Sequence, residues 1–415
     1  MSLIRQVETV PADSPAQDAF GRSRVSNPVS LFNYQHQYDE GPIQWEYWDV
    51  GGGGYTHLPN ESAVRLEVGT GATDASYKQS RQYYRYQPGK SQLILLTFVL
   101  GSSQANTTKQ VGYFDDDNGL IFQQVGSALQ FVRRSGTSGS PVDEVVNQAS
   151  WNLDTFDGNG PSGITLDPTK SQILVIDLEW LGVGRVRMGF NVNGVTYYAH
   201  EFLNANNLAT VYMTSANLPI RYAIFNTAGT AGAETMLAIC SSISSEGGFE
   251  IETGNPFCVS NGVVTEAVAA ATPEMILAIR PKATFNGQTN RGRILPTTFE
   301  TYGQANSAHW VLRYDVTEVG AWTWNSVHPD SLVEYAINEG TAFSGGIPVE
   351  CGYVPVSGSG NKARAGQRGG AEELFLYYPL SLDHLGANPI ILAMTVEGIS
   401  GTAEAAAAFS WLEFR

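Results

Sequence analysis

From Gln44 onward the chain is a succession of short stretches in which apolar residues recur at every second position, punctuated by Gly, Asn, Asp and Pro. Ser62 to Val68 sets Val64, Leu66 and Val68 against Ala63, Arg65 and Glu67, which is the period of a half-buried strand. Leu93 to Leu100 is apolar throughout apart from Thr97 and predicts a strand buried on both faces. Residues 110–134 predict a meander: Gln110 to Phe114, a turn at Asp115-Asp116-Asp117-Asn118-Gly119, Leu120 to Gln124, then Leu129 to Arg134. Asn118-Gly119 is a hairpin signal because both residues tolerate positive φ. The pattern repeats in Gln172 to Trp180, Val186 to Val192 and Val195 to Phe202, the last two joined by Asn193-Gly194. It continues through Thr210 to Thr214 and Ile220 to Asn226. Many short strands with turns of this kind predict an all-β protein with a concanavalin/jelly-roll-like β-sandwich.

Residues 243–272 shift toward Ser, Gly, Ala and Thr, which predicts a linker. Beyond it, Met275 to Ile279, Trp310 to Val316, Leu332 to Ile337, Leu374 to Tyr378 and Ile390 to Val396 predict a second β-domain. Val356 to Gly370 reads as an exposed loop within it. Gly401 to Phe409 fits a helix by its alanines, whereas Phe409 to Phe414 alternates like a closing strand. Residues 1–40 are polar, Pro-broken and without period, so they predict an extended N-terminal arm. Phe20, Val25, Leu31 and Phe32 would anchor that arm on a neighbouring subunit. The expected division is therefore an arm at 1–40, a sandwich at 41–242, a linker at 243–272 and a C-terminal β-domain at 273–415.

Charge narrows the partners. Of 415 residues, 24 are Lys or Arg and 40 are Asp or Glu, a formal net charge of −16. That balance argues against nucleic acid and anionic membrane as partners and favours an outward-facing protein or one docking against a basic neighbour. Cys240, Cys258 and Cys351 show no metal-binding spacing and are expected to be small buried hydrophobes. Met1 to Val10 has no apolar core of a signal peptide, and the longest apolar runs are strand-sized.

No constellation announces a reaction. Asp115, Asp116, Asp117 and Asn118 are weak calcium candidates, since successive strand residues face opposite ways and the spacing is not that of an EF-hand. Asp154, Asp157, Asn159 and Asp167 suit turn chemistry in a long connection. Asp177 and Glu179 share a strand face like the carboxylate pair of sandwich glycosidases, but the third acid of an E-x-D-x-x-E frame is missing. Arg185 and Arg187 have the same spacing and are expected to pair with them across adjacent strands. The six His form no metal or triad motif. Gly51 to Gly54 lacks the Lys and Ser/Thr of a phosphate loop, and Tyr83-Tyr84-Arg85-Tyr86 reads as a subunit contact. Catalytic residues, metals and cofactors are therefore not expected, nor is enzymatic activity.

Asp18-Ala19-Phe20-Gly21-Arg22-x-Arg24-Val25-Ser26-x-Pro28-x-x-Leu31-Phe32 resembles the arm of a group of uncharacterised virion proteins of tailed bacteriophages. The resemblance returns at Glu179-Trp180-Leu181-Gly182-Val183-Gly184-Arg185-Val186-Arg187-Met188-Gly189-Phe190. It returns again at Ile279 to Gly287 with Asn290-Arg291-Gly292. It implies a structural component of the virion, assembled in the host cytoplasm: a head decoration or cement protein, a head fibre, or a tail-associated protein. Asp18, Phe20, Arg22, Arg24, Val25, Leu31 and Phe32 would form the assembly arm. Partners would be capsid, neck or tail proteins and further copies of the chain, with a trimer as one symmetry. The alternative is a tail module that binds glycans or a receptor.

Overall fold

The computed structural model describes residues 16–25, 27–248, 254–262, 265–355 and 380–415. They fall into two compact units. The first comprises Met1–Gly41, Tyr47–Gln79 and Tyr86–Phe249, the second Pro42–Glu46, Ser80–Arg85 and Glu250–Arg415. The protein is all-β, and no helix among the described residues is long and apolar enough to cross a membrane.

The strands of the first part of the chain are β1 (Val29–Gln35), β2 (Trp45–Val50), β3 (Gly54–Leu58), β4 (Ala63–Val68), β5 (Ala75–Ser80), β6 (Ser91–Val99), β7 (Thr107–Phe114) and β8 (Gly119–Val125). They continue with β9 (Ala128–Ser135), β10 (Val142–Asn147), β11 (Gln172–Leu178), β12 (Val186–Val192), β13 (Val195–Phe202), β14 (Ile220–Asn226) and β15 (Glu234–Glu246). One sheet runs β13-β12-β11-β6-β15-β4-β3 with β1 also on β15, and the other runs β10-β9-β8-β7-β14-β5-β2. Aromatic rings join the two layers. Phe98 on β6 lies 5.8 Å from Phe122 on β8, and Phe190 on β12 lies 5.1 Å from the same ring. The β-sandwich is thus built largely as its two-residue periods predict, with alternate residues of strands such as β4 and β6 turned inward.

The second unit holds β16 (Asn255–Ser260), β17 (Glu266–Val268), β18 (Glu274–Pro281), β19 (Thr284–Phe285), β20 (Gln288–Thr289), β21 (Arg293–Gln304), β22 (Ala308–Glu318), β23 (Asn325–Ser326), β24 (Val333–Gly340), β25 (Phe343–Val354), β26 (Leu392–Gly398) and β27 (Ala403–Phe414). Strands β16, β27, β17 and β21 form one sheet, and β23-β24-β18-β26-β22-β25 form the other. Ala403, Ala405, Ala407, Phe409 and Trp411 of β27 pack with Ile276, Leu312, Trp310 and Met394 in one core. The alanine run is therefore strand: its odd positions are buried beside large residues, where a methyl group fits a crowded interlayer space.

Several expectations change. The 243–272 segment is not a linker throughout: the division between the two units falls inside it, after Phe249, but β15 extends to Glu246, and β16 and β17 both pair with β27. Part of the expected arm, Val29–Gln35, is a sheet strand on β15. Leu93, Leu95 and Thr97 are only half-buried, so β6 is fully covered on its core face alone. Thr210 to Thr214 is a loop, with Tyr212 and Met213 buried. Gly119 opens β8 rather than sitting in a tight two-residue turn, because a Cβ there would lie 2.0 Å from that of Phe114. Asn193 and Gly194 do adopt positive φ, 53° and 84°, as a two-residue hairpin turn requires. Cys258 and Cys351 are exposed and Cys240 is half-buried, so the thiols are not core residues. Leu374 to Tyr378 and Val356 to Gly370 lie outside the described residues.

Candidate functional site

On the outer face of the eight-stranded sheet, β11, β12, β13 and β15 bring together groups that are far apart in sequence. The register sets Asp177 opposite Arg187, and Arg187 opposite Glu201. The Arg187 guanidinium donates to Asp177 Oδ2 at 2.5 Å, and neither side chain has any exposed surface. Tyr198 donates its hydroxyl to the same oxygen at 2.8 Å. Glu246, at the end of β15, accepts a hydrogen bond from Ser91 at 3.0 Å. The expected cross-strand pairing holds for Asp177 with Arg187. Glu179 instead accepts the Arg185 backbone N–H at 2.9 Å, and the Arg185 side chain lies 3.5 Å from Glu201.

Residues 16–24 are laid on this surface as a small knot. Gln17 bridges to Ser23, Asp18 N–H donates to Arg22 O at 2.8 Å, and Arg24 N–H donates to Ala16 O at 2.9 Å. Asp18, itself buried, accepts the Arg22 backbone N–H at 2.8 Å and its Nε at 2.9 Å. Arg22 also lies over the Phe20 ring, 4.4 Å from its centroid. From this knot Arg24 donates to Asp177 Oδ2 at 2.6 Å and forms an ion pair with Glu246. The sheet returns the contact: Arg187 donates to Gln17 O at 2.7 Å and Arg185 to Ala19 O at 3.3 Å.

Burial works against the charge of Arg24, but Asp177, Tyr198 and Glu246 outweigh it and raise its pKa above the ordinary value. Burial pushes Glu246 up in spite of Arg24. Asp177 is thus the main electrostatic anchor of the knot and Glu246 the weaker arm of the clamp. Burial, with Asp177 beside it, also raises Tyr198.

The expected assembly arm is thus divided. Arg24 and Arg22 make contacts with the chain's own sandwich, at Asp177, Glu246 and the Gly89 carbonyl, while Asp18 holds Arg22 within the segment. Leu31 and Phe32 are core residues of β1. Phe20 is half-buried, and Val25 is 89% exposed and anchors nothing within the chain. Glu246 and Tyr198 were missed in the sequence because no local motif carries them; only the strand order brings them to Asp177.

The calcium candidates do not converge. Asp115 accepts the backbone N–H groups of Asp117 and Asn118 at 2.9 and 2.8 Å, Asp116 pairs with Arg221, and Asn118 donates to Thr214 at 2.7 Å. The side chains of Asp115, Asp116 and Asn118 are thus taken up by contacts of the chain itself, which leaves the weak calcium reading without support. Asp154, Asp157 and Asp167 likewise cap local N–H groups, which lowers Asp157 and Asp167 below the usual carboxylate range. The Gly-rich turn does cradle an anion, but one of the chain's own: Asp74 accepts the N–H groups of Gly52 and Gly71 at 2.8 and 2.9 Å. Tyr83, Tyr84 and Tyr86 are buried, so that stretch presents no aromatic surface to a partner.

In the second unit, ligand atoms of Glu46, Asp383 and His384 lie within 4.8 Å of one another. Glu46 accepts the His384 N–H at 3.0 Å and faces its Nδ1 at 2.6 Å. Asp383 accepts from Ala387 and Asn388, and Arg291 donates to the carbonyls of Asp383 and His384 at 2.7 and 2.8 Å. A guanidinium against the loop opposes a cation, and the group reads as a brace. Beside it Tyr83, Arg291, Arg293 and Leu380 line a small cleft of about 20 Å³.

No protein-family model matches the chain, and no curated protein matches it. Solved structures do show similar sandwiches. A glycoside hydrolase family protein from Mycobacterium thermorestibile is 11% identical, covering 51% of this chain and 99% of its own, with a TM-score of 0.37. A legume lectin-like domain from Entamoeba histolytica is 8% identical over 52% and 98%, with a TM-score of 0.32. An endo-β-1,3-glucanase from Pyrococcus furiosus is 9% identical over 53% and 95%, with a TM-score of 0.34. These likenesses concern the fold. They also correct the expectation of a chain without enzymatic activity: enzymes stand among the proteins it resembles, so a missing sequence motif is no ground for that exclusion.

Proposed function

We propose that this chain is a structural component of a tailed-bacteriophage particle, acting through protein–protein assembly. One observation carries the reading. Two of the blocks that resemble phage virion proteins, residues 18–32 and 179–190, lie far apart in sequence and meet in a single network: Arg24 of the first on Asp177 beside the second, and Arg185 and Arg187 of the second on backbone carbonyls of the knot. Residues of both blocks take part in the contacts that hold the N-terminal segment on the sheet. The low charge and net −16 fit packing against a basic neighbour. The test is immunogold labelling of purified particles with antibody to the folded chain, together with mass spectrometry of their washed proteins. Regular labelling at one position of head or tail is the expected result. Absence of the chain from washed particles refutes the reading.

A further inference from the structure

We propose that the outer face of the seven-stranded sheet in the first unit is a binding site for an uncharged linear glycan lying across its strands. The inference goes beyond the assembly reading and does not depend on it.

Three observations carry it. The first is an unbroken cross-strand row. The register sets Tyr77 beside Ala223, Ala223 beside Gln110, Gln110 beside Gln123, Gln123 beside Gln130 and Gln130 beside Asn147. Gln123 and Gln130 alternate with Phe122 and Phe131, which lie against Phe98 and Phe190 of the other sheet, so the row faces away from the core. Gln110 donates to Gln123 at 2.7 Å, Gln123 to Gln130 at 2.7 Å, and Gln130 to Asn147 at 2.8 Å. A side-chain amide has two N–H groups and two lone pairs, so each member of the ladder keeps a donor and an acceptor. A sugar hydroxyl both donates and accepts, which is the matching chemistry. Ordering a glutamine costs about as much free energy as one neutral hydrogen bond returns. The ladder therefore adds little stability, and its effect is a row of amides fixed in advance of binding.

The second is the aromatic end of the row. Trp48 on β2 stacks on Tyr77 with ring centroids 4.8 Å apart, and Phe225 lies 6.5 Å from Tyr77. All three rings are half-buried. The C–H side of a sugar ring packs on such apolar surface while its hydroxyls reach the neighbouring amides. No residue of the row or the stack is charged, although the chain carries −16. An anionic ligand is opposed by that field and an uncharged one is not. From Trp48 to Asn147 the row crosses all seven strands of the sheet, which at about 4.8 Å per strand is roughly 29 Å.

The third is a donor with no acceptor. Arg221 stands one row away, opposite Gln79 and Gly112, with its guanidinium 5.3 Å from the Trp48 ring centroid. Its Nε donates to Gln79 at 2.7 Å and its Nη1 pairs with Asp116. The side chain is only 3% exposed, yet Nη2 has no hydrogen-bond partner among the described residues. A ligand oxygen at the aromatic end supplies the missing acceptor.

The test screens the labelled full chain against an array of linear neutral glycans, uronate-containing glycans and extended peptides. Binding to at least one neutral chain is expected, tightening with chain length up to the span of the row. Calorimetry with the tightest neutral hexasaccharide then compares wild type with Gln110→Leu/Gln130→Leu, which keeps bulk and removes the amides. Affinity should fall by about tenfold, and by about fivefold for Trp48→Ala. Circular dichroism and melting establish that each variant is folded; if the double variant is not, Gln130→Leu alone replaces it, with a loss of about threefold. The inference is overturned by the absence of any neutral hit, by hits confined to uronates or peptides, or by undiminished binding in the folded glutamine variant.

Discussion

Replacing Arg187 by Met removes a fully buried charge from Asp177, which is equally buried and 2.5 Å away. At that separation the gross attraction is roughly 6–7 kcal/mol for an effective dielectric near 20. Most of it offsets the desolvation of both groups. The loss on breaking such a pair is dominated by the charge left behind and runs to about 3–5 kcal/mol. Asp177 keeps Arg24 and the Tyr198 hydroxyl, which places Arg187→Met near the lower end. Asp177→Leu takes a carboxylate from two guanidiniums, of which Arg24 keeps Glu246, and belongs near the upper end. For a unit of this size each kcal/mol lowers Tm by roughly 2–4 °C. The double change Asp177→Leu/Arg187→Met removes both charges and leaves Arg24 its partner Glu246, so it should cost about 1–2 kcal/mol. The cycle therefore predicts a coupling of at least about 3 kcal/mol between the two positions. Equilibrium urea unfolding, followed by tryptophan fluorescence, measures it. Single losses under about 1 kcal/mol, or additive ones, would refute the claim that this pair organises the sheet face.

Burial lowers His36 to about 2 and His200 to about 4. Unfolded, both take up a proton near pH 6.5 that the folded chain refuses, so stability is complete above that pH. It falls as pH drops toward 4 for His200 and toward 2 for His36, with a slope for His36 of up to about 1.4 kcal/mol per pH unit. Urea midpoints of wild type and His36→Asn at pH 7.5, 5.5 and 4.5 test this; equal slopes count against it. Asp115→Ala removes the acceptor of two loop N–H groups and should cost about 1–3 kcal/mol; a melting temperature unchanged from wild type would contradict the capping role. Gly53→Ala would bring a Cβ to 1.8 Å from the Ala75 carbonyl, so a strong loss of stability and soluble yield is expected, and normal expression at wild-type Tm would show that the strand yields instead.

The sandwich was legible because its strands are amphipathic in themselves. Val186–Val192, Val195–Phe202 and Ile220–Asn226 appear at the expected bounds, since each alternates and each ends at a turn residue. Strands without that contrast were not legible. Asn255–Ser260 and Glu266–Val268 bury few side chains, and their identity as strands comes from β27, more than 130 residues away. Ala403–Phe414 shows the opposite difficulty. A row of alanines satisfies helix propensity and a two-residue burial period equally well, and only the bulk of the residues facing it across the core decides between them.

The site was half legible for a related reason. Asp177 and Arg187 could be paired from the sequence because they stand on consecutive strands joined by a short connection, where antiparallel register follows from spacing. Glu246 could not, because β15 reaches β11 only through β6, inserted between them from an earlier part of the chain. Arg24 was singled out by its motif, but its contacts with Asp177 and Glu246 were not. A segment that lacks period and apolar bulk cannot fold alone, which leaves its own sheet and another copy's sheet as equally adequate hosts. The first of these is in use, through one cation, two carboxylates and two carbonyls.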